Sequence, residues 1–118
     1  MDKQIKFKKP VADIIRERCS WRSYDGRMLD EAVRSEMERF LSITDRGPFG
    51  VPVRIQLVER STSLWRTRAF GTYGFISGAR QFIAGAVEKG EKDLENFGYV
   101  FEEAVLFATD LGLGTCWM

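Results

Sequence analysis

The chain of 118 residues is 44% hydrophobic and 13% aromatic, which suits one compact domain with its own core and excludes a disordered tract. A formal net charge of +1 gives the molecule as a whole no electrostatic case for nucleic acid or a membrane surface. Histidine is absent, and the two cysteines, Cys19 and Cys116, lack metal-ligand spacing. That argues against a zinc site and removes the usual base of Ser-His-Asp and Cys-His catalysis, so a carboxylate or a cofactor must supply any chemistry.

The first predicted helix opens at Pro10, with Val11, Ile14 and Ile15 as an apolar stripe that ends near Arg18. The stretch RERCSWRSYDG follows, placing Arg18, Ser20 and Arg22 at spacing two before Gly26 breaks the chain. In an extended segment these three share one face, and Cys19, Trp21 and Ser23 share the other. Such a row of two cations and a hydroxyl suits an anionic ligand. It equally suits a helix C-terminus favoured by its dipole and followed by a solvated turn.

A second helix begins at Leu29 or Asp30, its Val33, Met37, Phe40 and Leu41 following the helical period. Two prolines and two glycines mark TDRGPFGVP (Thr44 to Pro52) as a loop. VRIQLVE (Val53 to Glu59) alternates as a half-buried strand does, and QFIAGAVE (Gln81 to Glu88) reads as a buried strand. Between them, residues 60–69 are polar with some helical character, and GTYGFISGA (Gly71 to Ala79) reads as a loop or a frayed helix. A long helix over Leu94 to Leu111 is apolar nearly all round, apart from Glu102, Glu103 and Asp110, with Gly112 as its cap.

Charge is unevenly spread. Residues 1–24 carry seven Lys or Arg against three Asp or Glu, and residues 88–110 carry two against seven. This suits an anion site near the N-terminus, two segments packed together, or simply solvated faces. The distant cysteines read as reduced thiols. With no signal-like N-terminus and no stretch of membrane-spanning length, the expected location is cytoplasmic.

RCSWRSY and FGYVFEEAVLFATDLGLGTCWM, in that order, resemble the FMN-dependent nitroreductases. The first is similar to the family's Arg-x-Ser-x-Arg-x-aromatic motif. The second is similar to its central helix and following strand, where Gly-Leu-Gly-Thr-Cys-Trp recurs. The resemblance covers essentially the whole chain as a single domain, residues 1–118.

It implies an α+β, nitroreductase-like FMN-binding fold and a homodimer with FMN at the interface. The implied activity is hydride transfer from NAD(P)H through FMN to nitroaromatic, quinone or similar acceptors. Arg18 and Ser20 would bind the FMN phosphate and ribityl oxygens. Arg22 would sit near the pyrimidine edge of the flavin, with Gly71 and Thr72 close to that edge. Trp117 and Met118 would approach the ring. The flavin would carry the chemistry, with no catalytic side chain and no metal.

Family members often have Ser-x-x-Asn-x-Gln-Pro before the first strand, where this chain reads GPFGVP. Members are also longer, so the apolar end at Met118 suggests a chain cut mid-element that holds part of its site. Rival readings are a non-catalytic FMN-binding or regulatory module and a truncated, inactive nitroreductase fragment.

Overall fold

The structure is a computed structural model, and it describes residues 7–59, 76 and 78–117. The expectations for residues 60–75, including the polar stretch and most of GTYGFISGA, lie outside the described residues. In chain order the elements are α1 (Val11–Glu17), α2 (Glu31–Ile43), β1 (Val53–Glu59), β2 (Gln81–Val87) and α3 (Asp93–Asp110). The result is a small α+β unit: three helices and one two-stranded antiparallel sheet among the described residues.

The core lies where α2 and α3 cover one face of that sheet. Met37, Phe40 and Leu41 come from α2, Val53 and Ile55 from β1, and Val100, Ala104 and Ala108 from α3. Their spacing is the helical period on the helices and the period of two on the strand. Phe40 stacks on Phe107 with centroids 4.2 Å apart and planes within 12°. At the C-terminus of α2, the Thr44 hydroxyl donates to the Phe40 carbonyl.

The β1–β2 register pairs Val53 with Val87, Ile55 with Gly85 and Leu57 with Ile83. These positions share the covered face. Gly85 is required there: a Cβ would lie 2.8 Å from the Phe97 ring and 2.9 Å from Ile55. The uniformly apolar QFIAGAV is therefore not a strand buried on both faces. Ala84 and Ala86, which alternate with Gly85, are exposed, because nothing described covers that side.

The long helix runs as expected within a residue at each end, yet it is one-sided, with Leu94 and Tyr99 exposed. Asp110 was an expected polar exception on it and is instead buried. Its carboxylate accepts the Lys8 backbone N–H at 2.5 Å and the Lys9 N–H at 3.2 Å. That clamp fixes the chain just before α1. Only Ile14 of the expected α1 stripe is buried, and Val11 and Ile15 remain exposed.

Candidate functional site

Two segments far apart in sequence are delivered to one place. Gly112, with φ +86, takes the left-handed backbone that lets α3 stop; its N–H donates to the Thr109 carbonyl at 2.9 Å and that of Leu113 to Ala108 at 3.0 Å. This paired closure turns the chain sharply away from the helix axis. Leu111 is the cap residue, and the glycine sits one position beyond it. At the other end, the Arg18 N–H closes α1 on the Ile14 carbonyl and Arg18 itself is extended, so the chain leaves the helix straight.

Since α1 is tied to the end of α3 through Asp110 and the buried Ile14, both exits start side by side. Ser20 and Thr115 form a parallel bridge, and the Trp21 N–H donates to the Thr115 carbonyl at 2.9 Å. The RCSWRSY and GLGTCW motifs are thus neighbours. Bridged partners share a face, so Thr115 adds a second hydroxyl to the side of the chain that carries Arg18 and Ser20. On the opposite side Trp21 lies against Gly114, where a Cβ would meet its ring carbon Cδ1 at 3.0 Å.

An open groove of about 950 Å³ runs from these segments past the 24–30 stretch toward β2 and α3. Arg18, Trp21, Tyr24, Phe101, Thr115 and Trp117 are among its walls. Two of its polar atoms, Arg18 Nη1 and Thr115 Oγ1, are buried without a hydrogen-bond partner. Leaving a shielded donor unpaired is costly.

Burial pushes the Tyr24 phenol up to about 12, and the negative charge of a Cys116 thiolate acts in the same direction. Burial also raises the Glu103 carboxyl above its usual range. Trp117 packs on Phe101 with centroids 5.0 Å apart, and its indole N–H donates to Glu102 Oε1 at 3.1 Å.

Of the residues expected from sequence, Arg18 is half-buried and lines the groove, as does Trp117. Ser20 and Arg22 are exposed, and neither side chain bonds to another described residue. Gly71, Thr72 and Met118 lie outside the described residues. Trp21 and Trp117 are 56% and 45% exposed in this chain. The two thiols are free; Cys116 is half-buried and Cys19 exposed.

The sequence reading missed Tyr24, Thr115, Phe97 and Phe101. Phe97 and Phe101 do carry a signal, an i, i+4 aromatic pair on a helix. Thr115 lay inside the quoted motif and was passed over. Nothing local marks Tyr24, whose backbone is approached by Gly78 from more than fifty residues away.

The GPFGVP loop is shaped by α3. The Phe49 N–H donates to Asn96 Oδ1, and Asn96 Nδ2 donates to the Val51 carbonyl, both at 2.9 Å. The loop is a backbone-held turn that carries Phe49 at its exposed tip. No helix among the described residues is long and apolar enough to cross a membrane.

A protein-family model described as "Putative TM nitroreductase" matches residues 10–118. No curated protein matches the chain. No solved structure matches it either. The matched span takes in both converging motifs and every described element, and the chain belongs to this family of nitroreductases.

Proposed function

We propose that the protein is an FMN-dependent oxidoreductase. It would pass hydride from NAD(P)H through the flavin to nitroaromatic, quinone or similar electrophilic acceptors, as a cytoplasmic homodimer with FMN at the subunit interface. One observation carries this reading: the Ser20–Thr115 bridge joins the two motifs beside a shielded Arg18 nitrogen that has no partner.

The donor set fits the group. A phosphate monoester is best met by a guanidinium fork with hydroxyls beside it. Arg18 supplies one guanidinium, and the bridged pair Ser20 and Thr115 two hydroxyls. Arg18 and Ser20 hold the phosphate and the ribityl oxygens in this reading. Arg22 stands two residues on, where a fixed cation stabilises negative charge at the pyrimidine edge. Gly71, Thr72 and Met118 are assigned to the same ring environment, and Trp117 forms an aromatic wall of the groove.

When bound, the isoalloxazine ring supplies the acceptance and release of hydride. The chain's own residues bind, orient and exclude water. Half-buried Tyr24, neutral well beyond physiological pH, and the Phe97–Phe101–Trp117 row give that dry boundary.

The test is the visible spectrum of the purified chain before and after reconstitution with FMN, followed by anaerobic addition of NADH or NADPH. Flavin bands that bleach with a nicotinamide are expected. Bands that persist unbleached would assign a binding module, and a chain that takes up no FMN at all would end the reading.

A further inference from the structure

We infer that Asp110 is a positioning residue for the anion site. Through its grip on residues 8 and 9 it sets where α1 lies, and so where Arg18 stands beside the Ser20–Thr115 bridge. This role rests on the reading of that place as the flavin phosphate site. It adds a coupling: docking of the N-terminal strap, Phe7 to Lys9, and binding of the anion support each other.

The strap is tied to all three helices. Its backbone is held by α3, where the Asp110 carboxylate accepts the Lys8 N–H at 2.5 Å and the Lys9 N–H at 3.2 Å. The Phe7 ring lies 6.3 Å from that of Phe107, also on α3. Lys8 Nζ donates to Glu36 of α2 at 3.5 Å, and Lys9 Nζ meets the two carboxylate oxygens of Glu17 at 3.2 and 2.9 Å. Glu17 is the last residue of α1 and the neighbour of Arg18. The strap thus holds α1 at its start, through Pro10, and again at its end.

Little else fixes α1. Its seven residues are fewer than an isolated helix needs, Pro10 supplies no side-chain cap, and Ile14 is its one buried residue. A carboxylate is costly where Asp110 sits, buried at the C-terminal end of a helix whose dipole already places negative charge there. The two strap amides offset that cost, and they do so only while the strap is docked. Asp110 therefore ties α1 to the end of α3, and the same end carries Gly112 to Thr115 into the bridge. One carboxylate keeps the two halves of the site together.

The test compares the parent with Asp110→Asn, which keeps the size but replaces one acceptor oxygen by a donor. Lys9→Met, which removes the Glu17 pair, is the second variant. FMN and riboflavin affinities are read by flavin fluorescence, and urea midpoints report stability. Asp110→Asn is expected to weaken FMN binding about tenfold and Lys9→Met about threefold, with riboflavin weakened less than about twofold in both. Gly50→Ala, whose Cβ meets open space, is the destabilised control and is expected to keep the parent's affinities. By reciprocity FMN must hold the strap as firmly as the strap holds FMN. Amide hydrogen exchange at Lys8 and Lys9 should therefore slow on adding FMN, and less on adding riboflavin.

An Asp110→Asn protein that binds FMN as the parent does, equal losses for the two flavins, or exchange unchanged by FMN would each overturn the proposal. Where Asp110→Asn fails to fold, Lys9→Met and the parent's exchange still decide. A parent that takes up no FMN ends the oxidoreductase reading alone. Inorganic phosphate then serves as the probe, and it is expected to raise the melting temperature of the parent more than that of Lys9→Met. General salt effects act on both proteins alike, so equal shifts would overturn the positioning role.

Discussion

Asn96 fills the space beside Gly47 in which any other residue would carry a Cβ. That atom would lie 2.6 Å from the amide carbon of Asn96 and 2.8 Å from Nδ2. Asn96 is fully buried, and both ends of its amide are used, by Phe49 and by Val51. The GPFGVP loop is thus held in one shape by a side chain from α3.

Gly47→Ala is expected to cost about 1–3 kcal/mol through overpacking, and Asn96→Ala about 2–4 kcal/mol by stranding a backbone donor and acceptor over a small cavity. The two are coupled. In the Asn96→Ala background the methyl has room, so the added cost of Gly47→Ala should shrink by at least about 1 kcal/mol. Urea midpoints of the four proteins check this, and strict additivity would refute the contact.

Gly78 and Gly50 separate backbone conformation from close approach. Both have positive φ, +79 and +75. A Cβ on Gly50 meets open space, whereas one on Gly78 would run into the Tyr24 carbonyl group. Gly50→Ala is expected to cost about 1 kcal/mol, the left-handed penalty alone, and Gly78→Ala about 2–4 kcal/mol. Thermal melts of the two variants should rank them in that order. Equal shifts would mean that the 24–28 stretch is not pressed on 78–81.

These contrasts show what the sequence could reveal. The periods that mark α2, β1 and α3 are local, and those elements sit within a residue or two of where the pattern places them. Burial on a second face is not local. QFIAGAV reads as a doubly covered strand because apolar content says nothing about what lies above Ala84 and Ala86. Asp110 breaks an apolar helix in sequence, and only the fold supplies the Lys8 and Lys9 amides that satisfy it. The candidate site divides in the same way. Motifs name Arg18 and Trp117 as candidates, whereas the shielding of Arg18 Nη1, the Glu102 contact of Trp117 and the Ser20–Thr115 bridge appear only in the fold.

Glu103 gives a pH dependence of definite sign. Burial raises its folded-state pKa above the unfolded value, so the folded chain prefers the protonated form. The charged form is a penalty, present in full above the folded pKa and gone below the unfolded one. Glu103→Gln should therefore stabilise the protein at neutral pH, and the gain should fade as the medium is acidified. Denaturation midpoints across that range test it. A variant less stable than the parent at neutral pH would show that the carboxylate has a partner.

Tyr24 acts at the opposite end of the scale. Its phenol is pushed from 10.0 to about 12, first by burial and then by the charge of Cys116. The neutral phenol favours the fold below the unfolded pKa, and that contribution is lost as pH rises from about 10 to about 12. Ultraviolet titration of phenolate should show one late-titrating tyrosine that disappears in Tyr24→Phe. Tyr24→Phe should also flatten the alkaline loss of stability. Titration of all tyrosines near their ordinary value would contradict the burial of this ring.

Arg18 sets stability against binding. Its Nη1 is shielded from water and has no hydrogen-bond partner among the described residues, so the flavin-free chain carries the cost of an unmet donor. Arg18→Met keeps much of the stem's apolar packing and removes the guanidinium. The melting temperature of the flavin-free protein should hold or rise, by up to about 1 kcal/mol of stability, while FMN affinity falls at least about tenfold through loss of the charged phosphate contact. Riboflavin, which keeps the ribityl chain but has no phosphate, should lose less affinity than FMN does. Fluorescence titration with both flavins distinguishes the outcomes. A variant that loses stability yet binds FMN as the parent does would assign Arg18 to the fold rather than to the ligand.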